Sequence, residues 1–162
     1  MNRLKQLLTR PLRPVHSSVI IFALVIALCG FADATYLTIE HYQGRIPPCS
    51  LTGGCEVVLT SQYSTIFGVP TSLLGIVYYV IILAGLFGYL ESRNTRLLKW
   101  TLFFTTLGFG MSLWFVYLQV FILHSFCVYC LGSATTSTIL FVTAMGVFSH
   151  QELTKNSVNH NE

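Results

Sequence analysis

The chain has 162 residues, of which 53% are hydrophobic, 14% aromatic and only 9% charged, with a net charge of +3 and a mean hydropathy of +0.66. That composition excludes an ordinary soluble domain. No lysine, arginine, aspartate or glutamate lies between Val57 and Leu90 or between Trp100 and Gln151, gaps that require membrane crossings, and the small positive charge needs no nucleic-acid partner.

In chain order, residues 1–15 form a basic, proline-bearing tail. An apolar run from about 17 to 39, interrupted only by Asp33, predicts the first transmembrane helix. Basic residues, an apolar stretch and "ADA" at 32–34 imitate a cleavable secretory signal. The stretch exceeds the usual h-region of about 7 to 15 residues and runs on into "TYLTI", so an uncut helix is expected. A loop over 40–69 follows, and within it the uncharged segment 56–67 suits a short helix lying at the membrane surface. Gly68, Val69 and Pro70 break the chain before a second apolar helix over about 70–90. The remaining charge-free stretch is too long for one crossing of about 20 residues. It divides near His124 and Ser125 into helices over about 99–123 and 126–149, and a polar tail closes the chain at 150–162.

The fold class is therefore an all-α integral membrane protein, a bundle of four transmembrane helices over 16–149. Arg3, Lys5, Arg10 and Arg13 precede helix one, Arg93, Arg96 and Lys99 join helices two and three, and Lys155 follows helix four. Basic residues stay on the cytoplasmic side of short loops, so both termini are expected inside, and the loop 40–69 and the turn 123–126 outside.

This topology gathers four of the five cysteines at one face: Cys49 and Cys55 in the outer loop, Cys127 and Cys130 in the first turns of helix four. Disulfides form and persist on such a face. Residues i and i+3 share one side of a helix, and a helix start favours thiolate, which suits Cys127 and Cys130 to redox chemistry. A zinc site and a pair of static staples are the competing readings. Zinc sites use C-x2–4-C pairs, whereas the first pair here is C-x5-C. Cys29 stands about ten residues below the outer end of helix one and is expected to pack between helices as a small apolar residue. Gly53 and Gly54 let the loop turn between its cysteines.

"ADATYLTIEHY", "GGCEVV", Ser61, "GVPTSLLG" and "FCVYCLGS", in this order on four helices, resemble the vitamin K epoxide reductase family in its bacterial single-domain form. The resemblance implies a relay at the bacterial inner membrane. Cys49 would meet the thiol of an exported thioredoxin-like partner, Cys55 would exchange with Cys127, and Cys130 would face a membrane quinone, ubiquinone or menaquinone. Ser61 matches a serine beside the family's active site. Animal members carry an asparagine early in helix two and a tyrosine one turn after the C-x-x-C, both bonded to the quinone; the matching positions here are Thr71 and Ala134. That departure favours thiol oxidation by quinone over the alternative, quinone epoxide reduction. A non-catalytic bundle with structural disulfides is the reading from another class. No thioredoxin-like domain follows helix four, so a separate partner is expected. Tyr78, Tyr79, Phe109, Phe115, Tyr117 and Phe126 are candidates to line a quinone site between helices. Asp33 could release protons or pair with Arg45, although snorkelling to the outer water is the simpler account. His41 and His124 are expected to be interfacial polar residues.

Overall fold

A computed structural model describes residues 17–49, 53–92 and 95–159, the last ten of them by their backbone course alone. Four long helices dominate it: α1 (Ser17–Tyr42), α3 (Thr71–Ser92), α4 (Thr95–Tyr117) and α5 (Val128–Asn159). Between α1 and α3 lie a short helix α2 (Cys55–Leu59) and an antiparallel pair, β1 (Thr65–Ile66) and β2 (Val69–Pro70). Four segments are long and apolar enough to span a membrane: Ser17–Tyr42, Thr71–Ser92, Arg96–Ile122 and Val128–Ser149. The basic tail expected at 1–15 lies outside the described residues. The segment expected as a polar tail from 150 continues the course of α5 to Asn159.

α1 packs on α3 and α5, and α4 packs on α3 and α5, so the four helices close a ring. Small residues make the α1 seam: Ala23, Ala27, Gly30 and Ala34 recur at helical spacing and are buried, while Ile21, Phe22, Val25 and Leu28 point outward. Lipid tails are as apolar as leucine, so close approach of backbones rather than hydrophobic burial holds such helices together. Two glycines make room for tyrosines of α3. A side chain at Gly30 would run into the Tyr79 ring, and one at Gly108 into the Tyr78 ring. Tyr79, 1% exposed, places its hydroxyl 2.7 Å from Thr136 Oγ1 and donates to the Ser133 carbonyl at 3.2 Å, tying α3 to α5. Cys29 does not pack between helices as expected. It lies exposed on the outward face of α1, because the seam takes Ala27 and Gly30 on either side of it.

Two segments depart from expectation in ways that shape the site. The surface helix expected over 56–67 is only the five residues of α2. Thr60 and Ser61 turn their hydroxyls back onto the Glu56 and Val58 carbonyls, a local competition that ends short helices. β-Branched Thr65 and Ile66 then pair with Pro70 and Val69 across a two-residue turn, Phe67-Gly68, in which both residues are left-handed. The third span is not regular either. Its final turn, Leu118–Ile122, is π-helical, closed by the Leu123 N–H donating to the Leu118 carbonyl at 2.8 Å. The wider turn lets the Gln119 carbonyl accept from Ser125 N–H at 3.1 Å, folding the chain back toward α5.

Candidate redox site and the cavity beneath it

Cys49 and Cys55 are joined by a disulfide, with their Cα atoms 5.8 Å apart. Gly53, left-handed at φ 62°, makes the turn between them, and its N–H donates to the Cys49 carbonyl at 3.2 Å. Gly54 has another duty. Its φ is −93°, which any residue adopts, but a Cβ there would stand 2.8 Å from both the nitrogen and the oxygen of Phe126. The glycine lets the start of α2 press directly on the backbone that leads into Cys127. As a result Cys55 and Cys127, both fully buried, share one small core with Val58, against which Cys49, Leu59, Leu123, Tyr129 and Cys130 pack. Tyr129 binds the loop from the other side, its hydroxyl donating to the Pro48 carbonyl at 3.3 Å and its ring 5.5 Å from that of Tyr36.

Cys127 stands just before α5 rather than inside it. Its carbonyl accepts the first helical bond, from Leu131 N–H at 3.0 Å, so it is the cap of the helix. Its own N–H donates to Gln119 Oε1 at 2.8 Å. Gln119 is 1% exposed, and its Nε2 reaches the Phe115 carbonyl at 3.4 Å. Sequence reasoning missed this amide; the signal was a single glutamine in the apolar run "WFVYLQVFIL". Cys127 and Cys130 are free thiols. The Cys127 thiol is lowered to about 7, first by a hydrogen bond from the Cys130 thiol and further by the backbone N–H groups of Cys130 and Tyr129. Burial and the Asp33 carboxylate oppose that shift.

Cys130, one turn into α5, opens on a cavity of about 790 Å³ between the helices, within the ~300–1,000 Å³ typical of small-molecule sites. Ser61, Thr71 and Ala134 line the same cavity. Ser61 uses its hydroxyl on the Val58 carbonyl at 2.8 Å. Thr71 is engaged with the Ser64 carbonyl through both its N–H (2.9 Å) and its hydroxyl (3.0 Å), which fixes the start of α3 to the loop. Of the six aromatic candidates, Tyr78, Tyr79 and Phe115 line the cavity. The others do not: Phe109 stacks on Phe141 at 4.5 Å, Tyr117 stacks on Trp114 at 5.8 Å, and Phe126 is exposed. Arg45 pairs with Glu40 at 3.4 Å, not with Asp33. Asp33 is half-buried. It lines the cavity, and its Oδ2 is buried without a hydrogen-bond partner among the described residues. His124 is exposed at a left-handed turn position, whereas His41 reaches the cavity wall. Among the described residues no group of three or more His, Cys, Asp or Glu could hold a metal ion.

The family model described as "Vitamin K epoxide reductase family" matches residues 21–145, from within α1 to within α5. The chain belongs to the vitamin K epoxide reductase family. A curated member of similar sequence is the thiol-disulfide oxidoreductase LTO1 of Arabidopsis thaliana, 33% identical over 133 residues. The match covers 75% of this chain and 34% of LTO1, so the chain spans about a third of that relative's length. Within the vitamin K epoxide reductase fold, the two cysteine pairs stand at one end of the membrane bundle and the cavity runs beneath them.

Proposed function

We propose that this protein is a quinone-dependent thiol oxidoreductase of a bacterial inner membrane, with both termini cytoplasmic and the cysteine pairs at the outer face. It takes two electrons from a separate exported thioredoxin-like protein, passes them from Cys49 and Cys55 to Cys127 and Cys130, and delivers them to ubiquinone or menaquinone. Disulfide formation in exported proteins is the outcome. The single observation carrying this reading is that Cys55 and Cys127 are buried in one core while Cys130, one turn on, opens on a cavity of ligand size.

Each residue has a part that its surroundings support. Disulfide exchange needs a thiolate that attacks one sulfur of a bond whose other sulfur can leave. Cys49, half-buried on the loop, is the sulfur that a partner thiol can reach, and Cys55 is the one that faces Cys127. In the forward direction Cys55 attacks Cys127 of the Cys127–Cys130 bond and Cys49 then resolves the Cys55–Cys127 link; Cys127, with its thiol lowered to about 7, is the sulfur that leaves readily as thiolate at neutral pH. In this relay an oxidised loop pair beside a reduced helix pair is the arrangement expected once electrons have reached Cys127 and Cys130 and before they pass to the quinone. The cavity suits a quinone head: apolar walls from Leu37, Leu107 and Met111, with a few polar groups among them, including a buried carboxylate oxygen that no described residue satisfies. A bound quinone supplies the two-electron acceptor; Ser61 and Thr71 border its place, and Ala134 leaves space beside Cys130.

The test is oxidation of a reduced thioredoxin-like protein by the purified protein with added quinone, each cysteine changed to alanine in turn. Cys127→Ala and Cys130→Ala should abolish quinol production. Full turnover in either variant would refute the relay.

A further inference from the structure

Asp33 is an acidic side chain within the first membrane span, nine residues before the end of α1 at Tyr42, or about 13 Å at 1.5 Å per residue. A carboxylate at such depth is expensive and is normally paired. Here the one basic residue close in sequence, Arg45, is committed to Glu40. Asp33 instead lines the cavity on which Cys130 opens, with Oδ2 buried and unpartnered among the described residues. Its charge reaches both thiols of the C-x-x-C pair. The other titratable or charged groups around the cavity are Tyr78 and Tyr79 of α3 and, from the end of α1 and the loop after it, His41 and the paired Arg45. α4 contributes none.

Tyr79 is not available as a proton carrier, because its hydroxyl is already held by Ser133 and Thr136. The Tyr78 hydroxyl, like Asp33 Oδ2, is buried without a hydrogen-bond partner among the described residues and lines the same cavity, but a phenol is too weak an acid to cycle its proton near neutral pH. Asp33 is the carboxylate that lines the space below Cys130, with a buried, unpaired oxygen. We propose that Asp33 is the proton relay of this site, its carboxylate taking the proton of the Cys130 thiol and passing it to a carbonyl oxygen of the electron acceptor in the cavity. This rests on the quinone reading above.

The step balances. The Cys130 S–H bond breaks and its proton goes to Asp33; the Cys127–Cys130 S–S bond forms, and two electrons leave the thiol pair for the quinone. Asp33 gives its proton to one quinone oxygen and regains its charge. The second proton comes from the Cys127 thiol, or from water where Cys127 is already thiolate, and the product is the quinol. A carboxylate serves here because it can cycle between its two forms without leaving the cavity.

The experiment uses the full chain in detergent and compares the wild type with Asp33→Asn and Asp33→Glu in three measurements. The first is anaerobic single-turnover reduction of a short-tailed quinone by the prereduced protein. The second is thiol exchange between the Cys49–Cys55 disulfide and a small dithiol, without quinone. The third is the pH midpoint of Cys127 alkylation in quinone-free protein. Asp33→Asn is expected to slow quinone reduction by about 100-fold, the scale of a lost general acid-base group. It should leave loop exchange unchanged and move the Cys127 midpoint downward, because a negative charge that opposes the thiolate is gone. Asp33→Glu should restore part of the rate. Wild-type quinone reduction in Asp33→Asn would overturn the relay while leaving the oxidoreductase reading intact. An equal loss in loop exchange would make Asp33 a structural residue and overturn it as well. Failure of the wild type to reduce any quinone would instead sink the function proposed above, and the relay with it.

Discussion

Cys127 draws its reactivity from neighbours two and three residues along the chain. A thiol lowered from the usual 9 to about 7 by the Cys130 thiol and two backbone N–H groups is mostly protonated at pH 6 and mostly thiolate at pH 8. Exchange of Cys127 with a small disulfide is therefore expected to rise through pH 7 and level off above pH 8, read as rate against pH in a variant lacking Cys49 and Cys55. Cys130→Ala removes the largest cause of the shift and should move that midpoint upward. Gln119 holds the same residue by its backbone. Gln119→Leu leaves the Cys127 N–H buried without an acceptor, a loss of about 1–3 kcal/mol, to be seen as a lower unfolding midpoint in detergent. Gln119→Glu keeps an acceptor and should be milder.

Two irregular elements bring the cysteine pairs together. α2 is short because Thr60 and Ser61 satisfy backbone carbonyls with their own hydroxyls, and the β1–β2 hairpin then returns the chain to α3. Neither is visible as a period in the sequence, since five helical residues and two-residue strands are below the length at which periodicity speaks. The close approach of Gly54 to Phe126 is what makes α2 useful. Gly54→Ala should push Cys55 away from Cys127 and slow exchange between the two pairs by about tenfold or more. Direct oxidation of Cys127 and Cys130 by quinone should survive, and stopped-flow measurement of each half-reaction separates the two. The π-helical turn that follows α4 was equally hidden: Gln119 was legible as a polar residue in an apolar run, but its target lies eight residues away across a turn.

At the scale of the bundle, small residues set how near the helices come and tyrosines lock them. Tyr79→Phe removes the bonds to Ser133 and Thr136 without changing shape. The expected loss is about 0.6–1.7 kcal/mol, measured by thermal unfolding in detergent. The orientation proposed from the basic residues has a direct check. With the native thiols blocked or replaced, a cysteine introduced at Arg45 should label from outside sealed vesicles with an impermeant maleimide, and one at Arg96 only from inside.

The amino-acid sequence by itself determined the number of crossings, because charge-free runs of this length have nowhere else to go than lipid. It also determined the sorting of four cysteines to one end, because spans of about 20 residues alternate sides. The motif order named the family. Only the tertiary structure decided that Cys127 caps α5 instead of lying within it, that Cys29 faces outward, that Arg45 pairs with Glu40, and that the Asp33 carboxylate turns into a cavity under Cys130. The physical reason is one of range. Hydropathy and charge act on each segment separately and can be summed along the chain, whereas burial, pairing and cavity shape depend on which residues of other helices arrive opposite.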